Sequence, residues 1–138
     1  MGIVLDTSAL VDMERRATPP ETALHEHLNE PIVVPMIVWA ELLTGVRLAQ
    51  TPDQAAQRRA RLEQLRLHIP LVPFDAAIAE KYADIFTECL KSGRMIPQND
   101  MAVAATARHL GYSVLVGKKD EALFHAVKHL DVVTLSTP

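Results

Sequence analysis

The chain has 138 residues, 49% of them apolar, with a formal charge of −3 and a single cysteine, Cys89. That length and apolar content make one domain over 1–138 the expectation and exclude a disordered tail. A lone cysteine excludes an internal disulfide and fits a reducing cytoplasm. No apolar run reaches membrane-spanning length and no basic-then-apolar leader opens the chain. The acidic balance excludes a protein built mainly to coat nucleic acid, while leaving room for one that handles a phosphodiester in a small site.

Ile3-Val4-Leu5 reads as a short strand buried on both faces, closed by Asp6-Thr7-Ser8, with a helix over Ala9 to Arg16. Thr18-Pro19-Pro20-Glu21 is a helix-start signal, a hydroxyl cap followed by proline and an acid, and predicts a helix to about Leu28. Pro31 to Val34 is a second buried strand, after which Pro35 opens a helix through about Leu48. Thr51-Pro52-Asp53-Gln54 repeats the capping signature before a polar, charge-rich helix that ends near Leu67.

Ile69 to Val72 is a third strand, and its Pro70 suits a sheet edge. Asp75 caps a long helix whose apolar stripe runs through Ile78, Tyr82, Ile85, Phe86 and Leu90 and which Gly93 stops. Asn99 to Leu110 is an alanine-rich helix, apolar on nearly all sides, with Asn99 as its expected cap and Gly111 as its stop. Ser113 to Val116 is a fourth strand, Lys119 to His129 a helix, and Val132 to Leu135 a fifth strand. Continuous apolar strands alternating with helices predict an α/β fold: a parallel sheet of about five strands, covered on both faces in three α/β/α layers. Such sheets bind ligands at the carboxyl ends of their strands, near the point where strand order reverses.

Four acids stand in positions that matter for that geometry. Asp6 follows strand one, where a carboxylate is either a solvated cap for the next helix or half of a metal site. Glu41 shares a mainly apolar helical side with Ile37 and Val38, where a lone charge is costly to desolvate. Asp100 opens the buried alanine-rich helix, where it complements the helix dipole or points into a cleft. Asp120 follows strand four. Singly, each has an ordinary structural explanation. Together they reach one sheet edge from several elements, and clustered carboxylates persist where a divalent cation neutralises them. Oxygen donors without cysteine or an obvious histidine point to Mg²⁺ or Mn²⁺.

Three stretches carry a family resemblance: Ile3-Val4-Leu5-Asp6-Thr7-Ser8-Ala9-Leu10, Ala40-Glu41-Leu42-Leu43-Thr44-Gly45-Val46, and Pro97-Gln98-Asn99-Asp100 running on through Met101 to Ala107. In that order and spacing they resemble PIN domains, more closely the VapC-type toxins of bacterial and archaeal toxin–antitoxin pairs, over essentially the whole chain. The resemblance implies a PIN fold and a metal-dependent ribonuclease. Asp6, Glu41 and Asp100 take the positions of three central acids, with Asp6 and Asp100 as direct ligands and Glu41 holding metal or orienting the nucleophile. It also implies a homodimer silenced by a small VapB-like antitoxin.

The chain departs from the pattern after strand four. Gly117 stands where relatives carry a hydroxyl residue, Asp120 comes late as the fourth acid, and Glu121 is the fallback. Thr7, Ser8, Lys118 and Lys119 are candidates for holding a carboxylate or a phosphate, and Arg15, Arg16 and Arg94 are further cations to consider. Cys89 reads as a core residue, Trp39 as core packing, and His125 with His129 as solvated surface. The arginines of Arg58-Arg59-Ala60-Arg61 read as an exposed helix face. Two readings from other classes stand beside the ribonuclease: a catalytically weak PIN-like scaffold, and a phosphoryl-transfer enzyme with Asp6 as nucleophile, against which Ser8 occupies the place of the usual second acid.

Overall fold

A computed structural model describes residues 1–135; the last three residues of the expected 1–138 domain lie outside the described residues. Five strands form one parallel sheet: β1 (Ile3–Leu5), β2 (Ile32–Pro35), β3 (Leu71–Val72), β4 (Ser113–Val116) and β5 (Val132–Thr134), in the spatial order β3-β2-β1-β4-β5. The register pairs Val4 with Val33 on one side and with Val114 on the other, and Leu115 with Val133 beyond. β1, β2 and β4 are the apolar runs of the sequence, and β1 and the last three residues of β4 are buried throughout. β3 is an edge strand, as Pro70 predicted.

Among the described residues, seven helices join and cover the strands: α1 (Thr7–Arg15), α2 (Pro20–Ala23), α3 (Met36–Arg47), α4 (Pro52–His68), α5 (Ala76–Ser92), α6 (Gln98–Leu110) and α7 (Glu121–His125). α6 packs on β1, β2 and β4 with α5 against it, and seven consecutive residues from Met101 to Ala107 are buried. Small alanine side chains let this helix lie close to the sheet and be covered on its other side as well. Cys89 is a buried core residue, as read from the sequence. Among the described residues no helix is long and apolar enough to cross a membrane.

The caps fell where their chemistry requires. Thr51 accepts from the Gln54 amide and Asp75 from that of Ile78, while Gly93 and Gly111 close α5 and α6 at φ of 72° each. Three local expectations are corrected. The helix expected to reach Leu28 is one turn of α-helix followed by a 3-10 turn over His25–His27, with no side-chain cap. α6 is entered through Pro97, whose extended backbone (ψ 146°) leads into the helix, so Asn99 is not its cap. The stretch expected as one helix from Lys119 to His129 is a 3-10 turn over Lys118–Asp120, the five residues of α7, and then an irregular segment in which His129 has φ of 56°.

What this arrangement does for a site follows from the strand order. The chain leaves β1 toward β2 and β3 on one side, then returns to place β4 and β5 on the other. The carboxyl ends of β1 and β4 therefore flank the point where strand order reverses, the usual ligand position of an open α/β sheet. Asp6 and Gly117 are the residues that follow those two strands.

Candidate active site

At that point a cleft of about 270 Å³ opens, lined by Asp6, Thr7, Ser8, Val11, Asp12, Arg15, Glu41, Asp100, Gly117, Lys119 and Asp120. Each carboxylate arrives for a local reason. Asp6 is the N-cap of α1: its Oδ2 accepts the Ser8 amide at 3.0 Å and the Ser8 hydroxyl at 2.5 Å. Cap and cleft residue are thus the same side chain. Both bonds end on Oδ2, so Oδ1 is left for another partner. Glu41 comes from the second turn of α3, where the Thr7 hydroxyl donates to its Oε1 at 2.8 Å and fixes it from the start of α1. Asp100 stands in the first turn of α6 and Asp120 ends the turn after β4.

Ser8 joins two strand ends. While its hydroxyl donates to Asp6, the same oxygen accepts the Gly117 amide at 2.9 Å, so the exits of β1 and β4 are tied through one side chain. Gly117 makes this close approach possible. A Cβ placed there would stand 2.7 Å from Asp12 Oδ2 and 2.8 Å from the Ser8 carbonyl oxygen, well inside van der Waals contact. The missing hydroxyl at position 117 is therefore a steric requirement of how α1 sits on β4 in this chain.

The electrostatics are dominated by burial and by the mutual repulsion of the acids. Asp6 is only 2% exposed, and burial raises its carboxyl pKa above the usual range. The Ser8 bonds oppose that rise, and the charges of Asp120 and Glu41 add to it. Asp100 is pushed from 3.8 up to about 7, by burial first and then by Asp6, Asp120 and Glu41. Four acids from distant parts of the chain thus act on one another in one pocket. Among the described residues, no three acidic, histidine or cysteine side chains stand close enough together to hold a metal ion as they are placed; the four acids line an open cleft.

A PIN domain family model matches residues 3–130. The chain belongs to the PIN domain family. Within it the chain sits in the VapC branch, being 31% identical over 138 residues to ribonuclease VapC1 of Rickettsia felis, with 99% of this chain and 98% of that protein covered. The structure of FitAcB from Neisseria gonorrhoeae is similar at a TM-score of 0.79 and 28% identity, over 94% of this chain and 95% of that one. VapBC2 of Rickettsia felis, solved bound to a DNA fragment from its promoter, has the same fold at a TM-score of 0.84 and 22% identity, covering 99% and 100%.

In this PIN fold the four acids singled out in the sequence, Asp6, Glu41, Asp100 and Asp120, all line the cleft, as do Thr7, Ser8 and Lys119. Four candidates do not reach it: Lys118, Arg16 and Arg94 are absent from the lining, and Glu121 faces His125, one turn on in α7, at 3.5 Å. Sequence reasoning missed Asp12, which lines the cleft four residues after Ser8; helical spacing alone puts those two on one face.

The basic run of α4 is largely engaged within the molecule. Arg58 and Arg61 meet Glu14, Arg59 meets Glu63, and the Arg66 guanidinium lies 5.8 Å from the centre of the buried Trp39 ring. Arg58 also donates to the Gly45 carbonyl at 2.7 Å. His125 closes α7, so the helical spacing that would have brought His129 beside it is lost. A second hollow, bordered by Ile85, Cys89 and Ala126, has room for about 10 Å³, no more than a water molecule.

Proposed function

We propose that this chain is a divalent-metal-dependent endoribonuclease, a single PIN domain that hydrolyses RNA phosphodiester bonds and acts as the toxin of a toxin–antitoxin pair. One observation carries the reading: Asp6, Glu41, Asp100 and Asp120, brought from four elements, share a cleft at the switch point of the sheet, and burial and mutual repulsion keep Asp6 and Asp100 from ionising easily. The crowding of these carboxylates is a cost to the fold that a hard cation would relieve. All the donors are oxygens. The opening of the cleft leaves space for water beside an ion, which suits Mg²⁺ and, as an alternative, Mn²⁺, since Mg²⁺ keeps part of its water shell.

The residues divide the work. Asp6, whose Oδ1 takes neither of the Ser8 bonds, and Asp100 would hold the ion. Glu41, fixed by the Thr7 hydroxyl, and Asp120 hold the water that attacks phosphorus and accept its proton. Ser8 keeps Asp6 in place. Lys119 offers a positive charge to a phosphate oxygen. When bound, the dication supplies a more acidic water and neutralises charge on the phosphate and the leaving oxygen.

The names of the relatives support the rest of the proposal. Several are called ribonuclease VapC, and the similar structures are VapBC and FitAB assemblies. By analogy this chain pairs with a VapB-like antitoxin, forms a homodimer and works in the cytoplasm. Expression of the chain alone in a bacterial host, beside its Asp100→Asn form, tests the reading. Growth arrest with discrete RNA fragments is expected only from the unaltered chain. Equal growth of the two strains would contradict a toxin.

A further inference from the structure

Asp12 and Arg15 were not needed for the chemistry above, yet both line the cleft. They follow Ser8 at helical spacings of four and seven residues, so Ser8, Val11, Asp12 and Arg15 make one continuous stripe of α1 along the cleft wall. At 1.5 Å per residue the stripe runs ~10 Å from the Asp6–Ser8 corner to the far end of the helix. Arg15 differs from most other arginines of the protein. Arg58, Arg59, Arg61 and Arg108 each meet a carboxylate, and Arg66 lies over Trp39. Arg15 has no ion pair or hydrogen bond among the described residues, although Asp12 stands one turn away on its own stripe. Its exposed guanidinium is available to an anion from outside.

We propose that α1 forms one wall of the RNA track and that Arg15 binds a phosphate neighbouring the one being cut. This rests on the ribonuclease reading and adds to it the direction in which the strand leaves the acids. Lys119, on the turn after β4, and Arg15, at the end of α1, are the two cations of the cleft lining. A strand whose reacting phosphate sits over the carboxylates places its next phosphate within reach of Arg15, which offers a planar pair of donors to it. Arg15 is here a positioning residue, acting through the backbone of the substrate.

Binding of a fluorescein-labelled single-stranded RNA dodecamer of mixed sequence tests this, in the full-length Asp100→Asn chain so that the RNA stays whole. Affinity is followed between about 50 and 200 mM salt. Loss of one phosphate contact in Arg15→Ala should lower the slope of log affinity against log salt by ~0.7, the single-strand value per phosphate. Affinity in the middle of that range should drop roughly five- to tenfold, with the melting temperature unchanged; Arg15→Lys should restore the slope and part of the affinity. Neutral methylphosphonate, walked through the RNA one position at a time, should weaken the parent at one position to which Arg15→Ala is indifferent.

An unchanged slope in Arg15→Ala, above all with a lowered melting temperature, would mean that Arg15 only complements the carboxyl end of α1, and would overturn the inference while leaving the ribonuclease reading intact. A parent chain that binds no RNA at any salt would overturn that reading itself.

Discussion

Asp100→Asn should make the metal-free protein more stable above neutral pH while abolishing its activity. The wild-type carboxyl is raised from 3.8 to about 7 in the folded chain, so the folded state holds a proton there that the unfolded state has already released. The sign follows. Between pH 4 and 7 folding takes up a proton, stability falls as pH rises, and above about 7 the full cost of a buried charge is present. At ~1.4 kcal/mol per pH unit the shift corresponds to ~4 kcal/mol.

Asp100 keeps partial contact with solvent, which roughly halves that figure to ~2 kcal/mol. Asparagine also gives up the attraction of a charge to the amino end of α6, worth ~0.3–1 kcal/mol. The balance is a gain of ~1–2 kcal/mol near pH 8 that shrinks toward zero near pH 4. Urea unfolding of both proteins in chelator, over that pH range and with equal slopes in urea, measures it. An Asp100→Asn chain that is less stable than wild type at every pH, by a constant amount, would show that the acid is a structural cap and refute the reasoning.

Three further outcomes follow from the same geometry. Gly117→Ala drives a methyl group into Asp12 and the Ser8 carbonyl; it should cost ~1–3 kcal/mol in urea unfolding, and a neutral result would mean that α1 is free to move. Ser8→Ala leaves the Gly117 amide without its acceptor and should cost ~1–2 kcal/mol, most of it recovered in Ser8→Thr. Thr7→Val removes the bond that orients Glu41; RNA cleavage should slow about tenfold, the kinetic equivalent of one hydrogen bond, with little change in substrate affinity, and a loss confined to affinity would assign Thr7 to the substrate.

Much of this was legible in the chain because the informative signals are local. Ile3-Val4-Leu5 and Val114-Leu115-Val116 are buried on both faces and so read as strands without a period to decode. Asp75, Thr51, Gly93 and Gly111 mark helix ends through their own side-chain or backbone chemistry. The acids stood out because Asp6 ends a strand buried on both faces and Glu41 interrupts the apolar run of α3. The stretch from Lys118 to Leu130 was not legible as it folds: its composition suits a helix, but tertiary packing buries Phe124 and Val127 by breaking it into short turns. Asp12 was missed because an acid in the middle of an amphipathic helix looks like solvated surface. Only the docking of α1 on Gly117 turns that face into a wall of the site. The reason for glycine at position 117 likewise lies in a contact between residues more than a hundred positions apart.

The claim beneath all of these is that the acids at the β1 and β4 exits are gathered to hold a hard dication. Crystals grown with Mn²⁺ test it most directly, through the anomalous signal of the metal. The account predicts a peak in the cleft between Asp6 and Asp100, on the side of Glu41, which vanishes in Asp6→Asn. A cleft without a peak in crystals of a chain that still cleaves RNA, or a peak that persists undiminished in Asp6→Asn, would contradict it.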